Sequence, residues 1–140
     1  MQTWIVYAIL SMIFAGVTAI LAKYGLQNIG ADFGMTVRTS VIFFIVTVMS
    51  MVSQNYKEYF SLTRTQLFLL IASGVTTTLS WIFYYRAIKD GPVSYVAAID
   101  KGSIVITLVL AFILLREPIN AKILIGGTLI FAGMIVLIWK

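Results

Sequence analysis

An aspartate and a lysine stand side by side, Asp100-Lys101, inside an otherwise apolar run from Val93 to Leu115. An ionisable residue near the middle of a membrane helix costs on the order of 2.5–3.5 kcal/mol on insertion scales, so it calls for a partner, water or a ligand. A carboxylate so placed can bind a cationic group or carry a proton. On a continuous helix Asp100, Ser103 and Thr107 fall at i, i+3 and i+7, a polar stripe on one face. Lys101 then points about 100° away, beside Ile104, Val105 and Leu108. Adjacent helical positions do not face one another, so the two charges are not expected to pair. Three readings stay open: an ion pair made with another helix, the border of a solute cavity, or a lysine that snorkels to the nearer surface.

A second group of polar side chains lies upstream. Ser73 to Ser80 reads SGVTTTLS, unusually polar for contact with lipid. Its hydroxyls can bond back to the helix's own carbonyls, which makes them tolerable there. Thr77, Trp81, Tyr84 and Ile88 share one helical face, with Tyr85 beside it. Ring surface for packing, with OH and NH for orientation, is what a cavity for a small organic molecule needs. Trp4 and Tyr7, near the N-terminus, fit either a solute path or the membrane interface. Arg38 is read as an anchor that snorkels to the headgroups, ahead of a role in holding a ligand.

These residues require five long helices. Apolar spans are expected over 4–26, 35–52, 67–88, 93–115 and 119–139. The fourth has 23 residues, which at about 1.5 Å each reach roughly 35 Å, enough to cross the hydrocarbon core. Ala8, Ser11, Ala15, Ala19 and Ala22 form a small-residue stripe on the first span, suited to close helix packing. Asn28, Gly30, Asp32 and Gly34 read as the first loop, with Gly30 as a helix stop. Ser53 to Gln66 is the second loop, in which Thr63 to Gln66 matches a capping box. Asp90-Gly91-Pro92 and Arg116-Glu117-Pro118 make the remaining turns, each proline suiting a first helical position. In the fifth span Gly126 and Gly133, seven apart, are the expected packing glycines.

Composition narrows the class. The 140 residues are 61% hydrophobic and 11% charged, against about 45–50% and 25% in a soluble domain. The chain therefore reads as an all-α integral membrane protein, with its first span retained rather than cleaved as a signal. The net charge of +5 comes from basic residues scattered at span ends, which speaks against nucleic acid. Cysteine and histidine are absent, so no thiol chemistry, Cys–His metal site or imidazole acid–base group is available. No nucleophile–base pair is visible, so an enzyme is not expected, and no cofactor is implied.

Four segments, taken in order, resemble the EamA domain of the drug/metabolite transporter superfamily: Trp81 to Ser94 (WIFYYRAIKDGPVS), Asp100-Lys101, Leu115 to Pro118 (LREP) and Gly126 to Gly133 (GGTLIFAG). The likeness extends over the whole chain, five spans for five. Arg116 departs from the pattern, where glycine commonly precedes the glutamate. The resemblance implies one half of a ten-helix inverted-repeat transporter, its cavity lined mainly by the first, third and fourth helix of each repeat. Tyr7, Thr77, Trp81, Tyr84, Tyr85, Asp100, Lys101 and Ser103 are then the candidate substrate-binding residues. The four-span small multidrug-resistance proteins are an architectural rival, but they carry an essential glutamate in the first span, and here that span has no acid.

Basic residues flanking the spans divide almost evenly between the two sides. Lys57, Arg64, Arg116 and Lys122 fall on one, and Lys23, Arg38, Arg86, Lys89 and Lys140 on the other. Loop lysines and arginines set orientation, so this near balance leaves the orientation undetermined. The expectation is insertion both ways and pairing with a second, antiparallel copy, in a prokaryotic plasma membrane. A paralogous partner of fixed orientation is the alternative, as is a non-transporting membrane subunit in which Asp100 and Lys101 serve assembly. Superfamily relatives carry amino acids, nucleotide sugars, purines, sugar phosphates and drugs, so the solute class stays open.

Overall fold

The loop after the first helix shows how the first three helices are held. In a computed structural model, which describes residues 2–54, 56, 58, 61–118 and 120–139, α1 runs Thr3–Gly25, α2 Ala31–Val52 and α3 Arg64–Asp90. Residues 1–89 form one compact unit. Leu26, just past α1, is buried against Gly34, where an added Cβ would overlap the leucine side chain. Ala19, Ala31, Tyr85 and Ile88 are the other buried apolar side chains. Of the expected small-residue stripe on α1, only Ala19 is buried, while Ala8, Ser11 and Ala15 are exposed.

The starts of α2 and α3 lie before the expected residues 35 and 67, at Ala31 and Arg64. The second helix opens at Ala31 with Gly30 as its N-cap, so Asp32 and Gly34 belong to the helix and not to the loop. An acid in the first turn suits the positive end of the helix dipole, an advantage that a hydropathy pattern does not register. At the start of α3 the capping box forms in both directions. The Thr63 amide donates to Gln66 Oε1 at 2.9 Å, and the Gln66 amide donates to Thr63 Oγ1 at 3.3 Å.

Residues 90–140 form the second unit. The apolar run expected as one continuous helix is divided into α4, Val93–Asp100, and α5, Ser103–Leu115. Pro92 is the N-cap of α4 rather than its first residue. At the junction the Gly102 amide donates to Ile99 O at 2.9 Å and the Ile104 amide to Lys101 O at 3.1 Å. These i→i−3 bonds, with Gly102 at φ −60°, ψ −20°, are a turn of 3₁₀ helix set into the span. Glycine fits closely there: an added Cβ would meet Met134 Sδ at 2.5 Å and Ile99 O at 3.0 Å, so the methionine would have to shift.

The last helix, α6, runs Ala121–Ile138 and packs on both α4 and α5. Asn120 caps it, its side chain accepting from the Ile123 amide at 2.9 Å, while Pro118 stays in the preceding loop. The packing glycine is Gly127, where an added Cβ would meet Leu108 Cδ1 at 2.7 Å. Gly126 and Gly133 have open space instead. The seven-residue spacing is right but the face is one residue on: Gly127 and Met134 meet α5 and the turn before it. Ile119, the expected start of this span, lies outside the described residues, as do Lys57 and Lys140 of the charge balance.

Arg116 ends α5 in the left-handed region, at φ 54°, ψ 32°. That conformation costs an L side chain roughly 1–2 kcal/mol, which suits the glycine that the resemblance leads one to expect here. Glycine is entropically freer in the unfolded chain, which offsets part of the gain. Arg116→Gly is expected to stabilise the protein by about 0.5–1 kcal/mol, read as a rise of a few degrees in its detergent melting temperature. A fall would show that the arginine's side chain does more than occupy the turn.

Five helical segments are long and apolar enough to cross a membrane: Thr3–Gly25, Ala31–Val52, Arg64–Asp90, Val93–Leu115 and Ala121–Ile138. Between 0 and 6% of each segment's most apolar stretch is buried inside the chain, so most of the side chains remain for lipid or a partner.

Candidate functional site

The chemistry-bearing residues fall into two groups, one in each unit. In the second, Lys101 Nζ lies 3.6 Å from Asp100 Oδ2, with side chains 64% and 40% exposed. The pairing of neighbours runs against the sequence reading. The lysine's long, flexible stem spans the angle between adjacent positions. At 3.6 Å this is a loose ion pair and not a hydrogen bond, so the carboxylate keeps capacity for another partner. Ser103 opens α5, and its carbonyl accepts from Thr107 Oγ1 at 3.0 Å. A turn of 3₁₀ helix aligns positions three apart, which keeps Asp100 and Ser103 on a common side.

A cavity of about 270 Å³ between α5 and α6 includes none of these three residues. Its walls are Val105, Leu108, Phe112, Ile123 and other apolar groups, with Thr128 as the sole hydroxyl, so in a membrane it fits lipid chains.

In the first unit the aromatic face is assembled on α3. Tyr85 is 4% exposed, Trp81 and Tyr84 are half-buried, and the two tyrosine rings lie 6.4 Å apart at 58°. Ile88, placed on the same face by spacing, is fully buried and packs rather than lines a path. Thr77 is exposed, while its neighbour Thr78 borders a cavity of about 460 Å³ with Trp81, Thr36, Thr39 and Ser40. Thr76 and Thr78 bond back to α3 carbonyls, as hydroxyls in lipid-facing helices do. Tyr7 stands apart on α1, 71% exposed.

Arg38 makes contacts that spacing does not show. With α2 opening at Ala31 it sits about two turns in, and its guanidinium carbon lies 4.4 Å from the centre of the Trp81 ring and 5.5 Å from that of Tyr85. Cation–π contacts contribute about 0.5–1 kcal/mol when exposed and about 2 when desolvated. Two of them offset part of the cost of a charge in the span, beside the snorkelling that the sequence suggests. The clue in the sequence was an arginine on one span and an i, i+4 aromatic pair on another. Arg38 also borders a cavity of about 350 Å³ lined by Thr18, Leu21, Leu26, Val37 and Tyr85.

Other charges at this end of the unit are engaged. Arg86 grips Asp32 with two parallel bonds, Nε to Oδ1 at 3.2 Å and Nη2 to Oδ2 at 3.1 Å. Both side chains are exposed, so this fork aligns α2 with α3 more than it stabilises them. Lys23 Nζ donates to the carbonyls of Ile88 and Lys89, each at 2.8 Å, covering orphan acceptors at the end of α3. Among the described residues there is no cluster of acids that could hold a metal ion.

Comparison with known proteins agrees with this picture of apolar helices carrying a few placed charges. The model of the EamA-like transporter family matches residues 2–139. An uncharacterized transporter in the cobO 3′ region of a Sinorhizobium species is 36% identical over 137 residues, covering 97% of this chain and 96% of the relative. A WAT1-related protein of Arabidopsis thaliana is 28% identical over 133 residues, covering 91% of this chain but 36% of the plant protein. No solved structure matches the chain significantly. Five candidate spans, an all-helical fold among the described residues and a family match over nearly the whole length converge: this is an integral membrane protein, not an enzyme, and it belongs to the EamA-like transporter family.

Proposed function

We propose that the chain is one half of a transporter for a small organic solute, completed by a second copy of opposite orientation in a bacterial plasma membrane. The observation that carries this is the 3₁₀ turn at Lys101–Gly102 inside the fourth span, flanked by a loosely paired carboxylate and ammonium. Polar irregularity at membrane depth is tolerated where protein covers it or water reaches it. Asp100 and Lys101 are both partly exposed in the single chain, which leaves that cover to a partner. An inverted repeat encoded as two copies would supply it, and transporters of this kind hold their sites where repeats meet. The residues proposed to meet the solute are Asp100, Lys101 and Ser103 in the second unit and, taken separately, Tyr7, Thr77, Trp81, Tyr84 and Tyr85 in the first. The near-even charge balance supports dual insertion.

A reporter fused to the C-terminus tests the arrangement. Signal from both faces of the membrane is expected, in comparable amounts. Signal from one face alone would end the antiparallel homodimer and leave the paralogous partner as the arrangement to examine.

A further inference from the structure

The cations around the end of the first unit do not share one fate. Arg86 has the Asp32 carboxylate, and Lys23 has two carbonyls. Arg38 has two aromatic rings and, among the described residues, no oxygen acceptor. Asp32, six positions earlier on the same helix, is about 9 Å away along the axis and already held by Arg86. A ring contact uses none of the guanidinium's N–H groups to donate to an oxygen, and those groups match the geometry of a carboxylate or phosphate.

The arginine borders a chamber of suitable character. The cavity of about 350 Å³ is walled by α1, α2 and α3 and by the loop between the first two. Leu21, Leu26 and Val37 supply apolar surface, Thr18 and Tyr85 supply hydroxyls, and Arg38 is its one charged group. A cationic solute would meet like charge there. A many-hydroxyl solute would leave most of its hydrogen bonds unmet against apolar walls. An anion with an apolar body satisfies both parts.

We infer that Arg38, held over Trp81 and Tyr85, is the seat for the anionic group of an organic solute whose apolar body occupies this cavity. The inference rests on the transporter reading and names a class of solute for it. A carboxylate or phosphate on a soluble molecule and one on a lipid headgroup share the recognition chemistry. The assignment is to the soluble molecule.

Trp81 provides the readout, because the guanidinium lies on its ring. The full chain carrying Trp4→Phe and Trp139→Phe is placed in nanodiscs of phosphatidylcholine, so that Trp81 alone fluoresces. Cyclohexanecarboxylate is titrated against cyclohexanecarboxamide, the neutral isostere. The carboxylate is expected to give a saturable change and to bind at least tenfold more tightly than the amide. Arg38→Met should abolish the difference, and Arg38→Lys, which keeps the charge and loses the fork, should retain part of it. Equal binding of acid and amide, or a carboxylate response unchanged in Arg38→Met, overturns the inference. If Arg38→Met does not fold by circular dichroism, the acid–amide comparison on the unaltered arginine decides alone. Discs containing phosphatidylglycerol separate the sources. A lipid-induced change that depends on Arg38 and suppresses the carboxylate response would assign the seat to a headgroup and overturn the solute. Binding is measured without flux, so its loss would leave transport of an uncharged or cationic solute standing.

Discussion

Asparagine in place of Asp100 is expected to abolish accumulation driven by a pH gradient in proteoliposomes, while downhill exchange persists. The substitution keeps the size and hydrogen-bonding reach of the side chain and removes its charge and its proton. A carboxylate at this position either binds a cationic group or carries a proton. In the second role the proton it carries is lost with the substitution. One pH unit is worth about 1.36 kcal/mol per coupled proton, or roughly tenfold in accumulation, so the loss is read as a tenfold fall at that gradient. Lys101→Met should have the opposite character. It removes the cation 3.6 Å from the carboxylate and leaves the carboxylate in place, so accumulation at the same gradient should persist. Accumulation unaffected by Asp100→Asn would take Asp100 out of the mechanism. Dimers lost on detergent gels, with flux per remaining dimer unchanged, would instead assign the pair to assembly.

Ile88→Ala is expected to be the most destabilising single truncation in the first unit. Ile88 is fully buried, its neighbour one turn back is the buried Tyr85, and its carbonyl takes one of the two Lys23 bonds. Truncating a buried isoleucine to alanine costs about 2–5 kcal/mol in water-soluble cores, through lost transfer energy and a residual cavity. In a bilayer the transfer part shrinks, because lipid tails are as apolar as the side chain, so about 2–3 kcal/mol is the expected range. Ile88→Val should cost about 0.5–1.5 kcal/mol. The measurement is reversible unfolding in mixed micelles, with helix content as the signal. An alanine variant as stable as the parent would mean that the packing around Ile88 closes without it, and would return the residue to the solute path where its helical spacing had placed it.

The order of these effects follows from how little of the chain is buried. The structure has five buried apolar side chains among the described residues, all of them in the first three helices and the loop between α1 and α2. Truncations elsewhere meet lipid or a partner rather than a core. In the second unit the tight positions are glycines, Gly102 and Gly127, where an added Cβ would have to displace the ends of Met134 and Leu108. Bulk added there forces neighbours aside, which costs about 1–3 kcal/mol in packed interiors.

Composition and periodicity alone determined that the chain is helical, that it belongs in a membrane and that it carries five segments apolar and long enough to cross one. Those properties follow from the hydrocarbon solvent, which demands satisfied backbone groups and about 20 apolar residues per crossing. The capping box at Thr63 and Gln66 was legible for the same local reason, since all its atoms lie within one turn. The tertiary structure alone decided which face of each helix meets another. Spacing nominated Gly126 and Gly133, and packing chose Gly127, because helical period defines a stripe without saying how the helix is rotated. It also divided the fourth span at Lys101–Gly102, beside Met134 of another helix. It drew Arg38 onto Trp81 and Tyr85, 43 and 47 positions along the chain, a contact between residues that no window of sequence holds together.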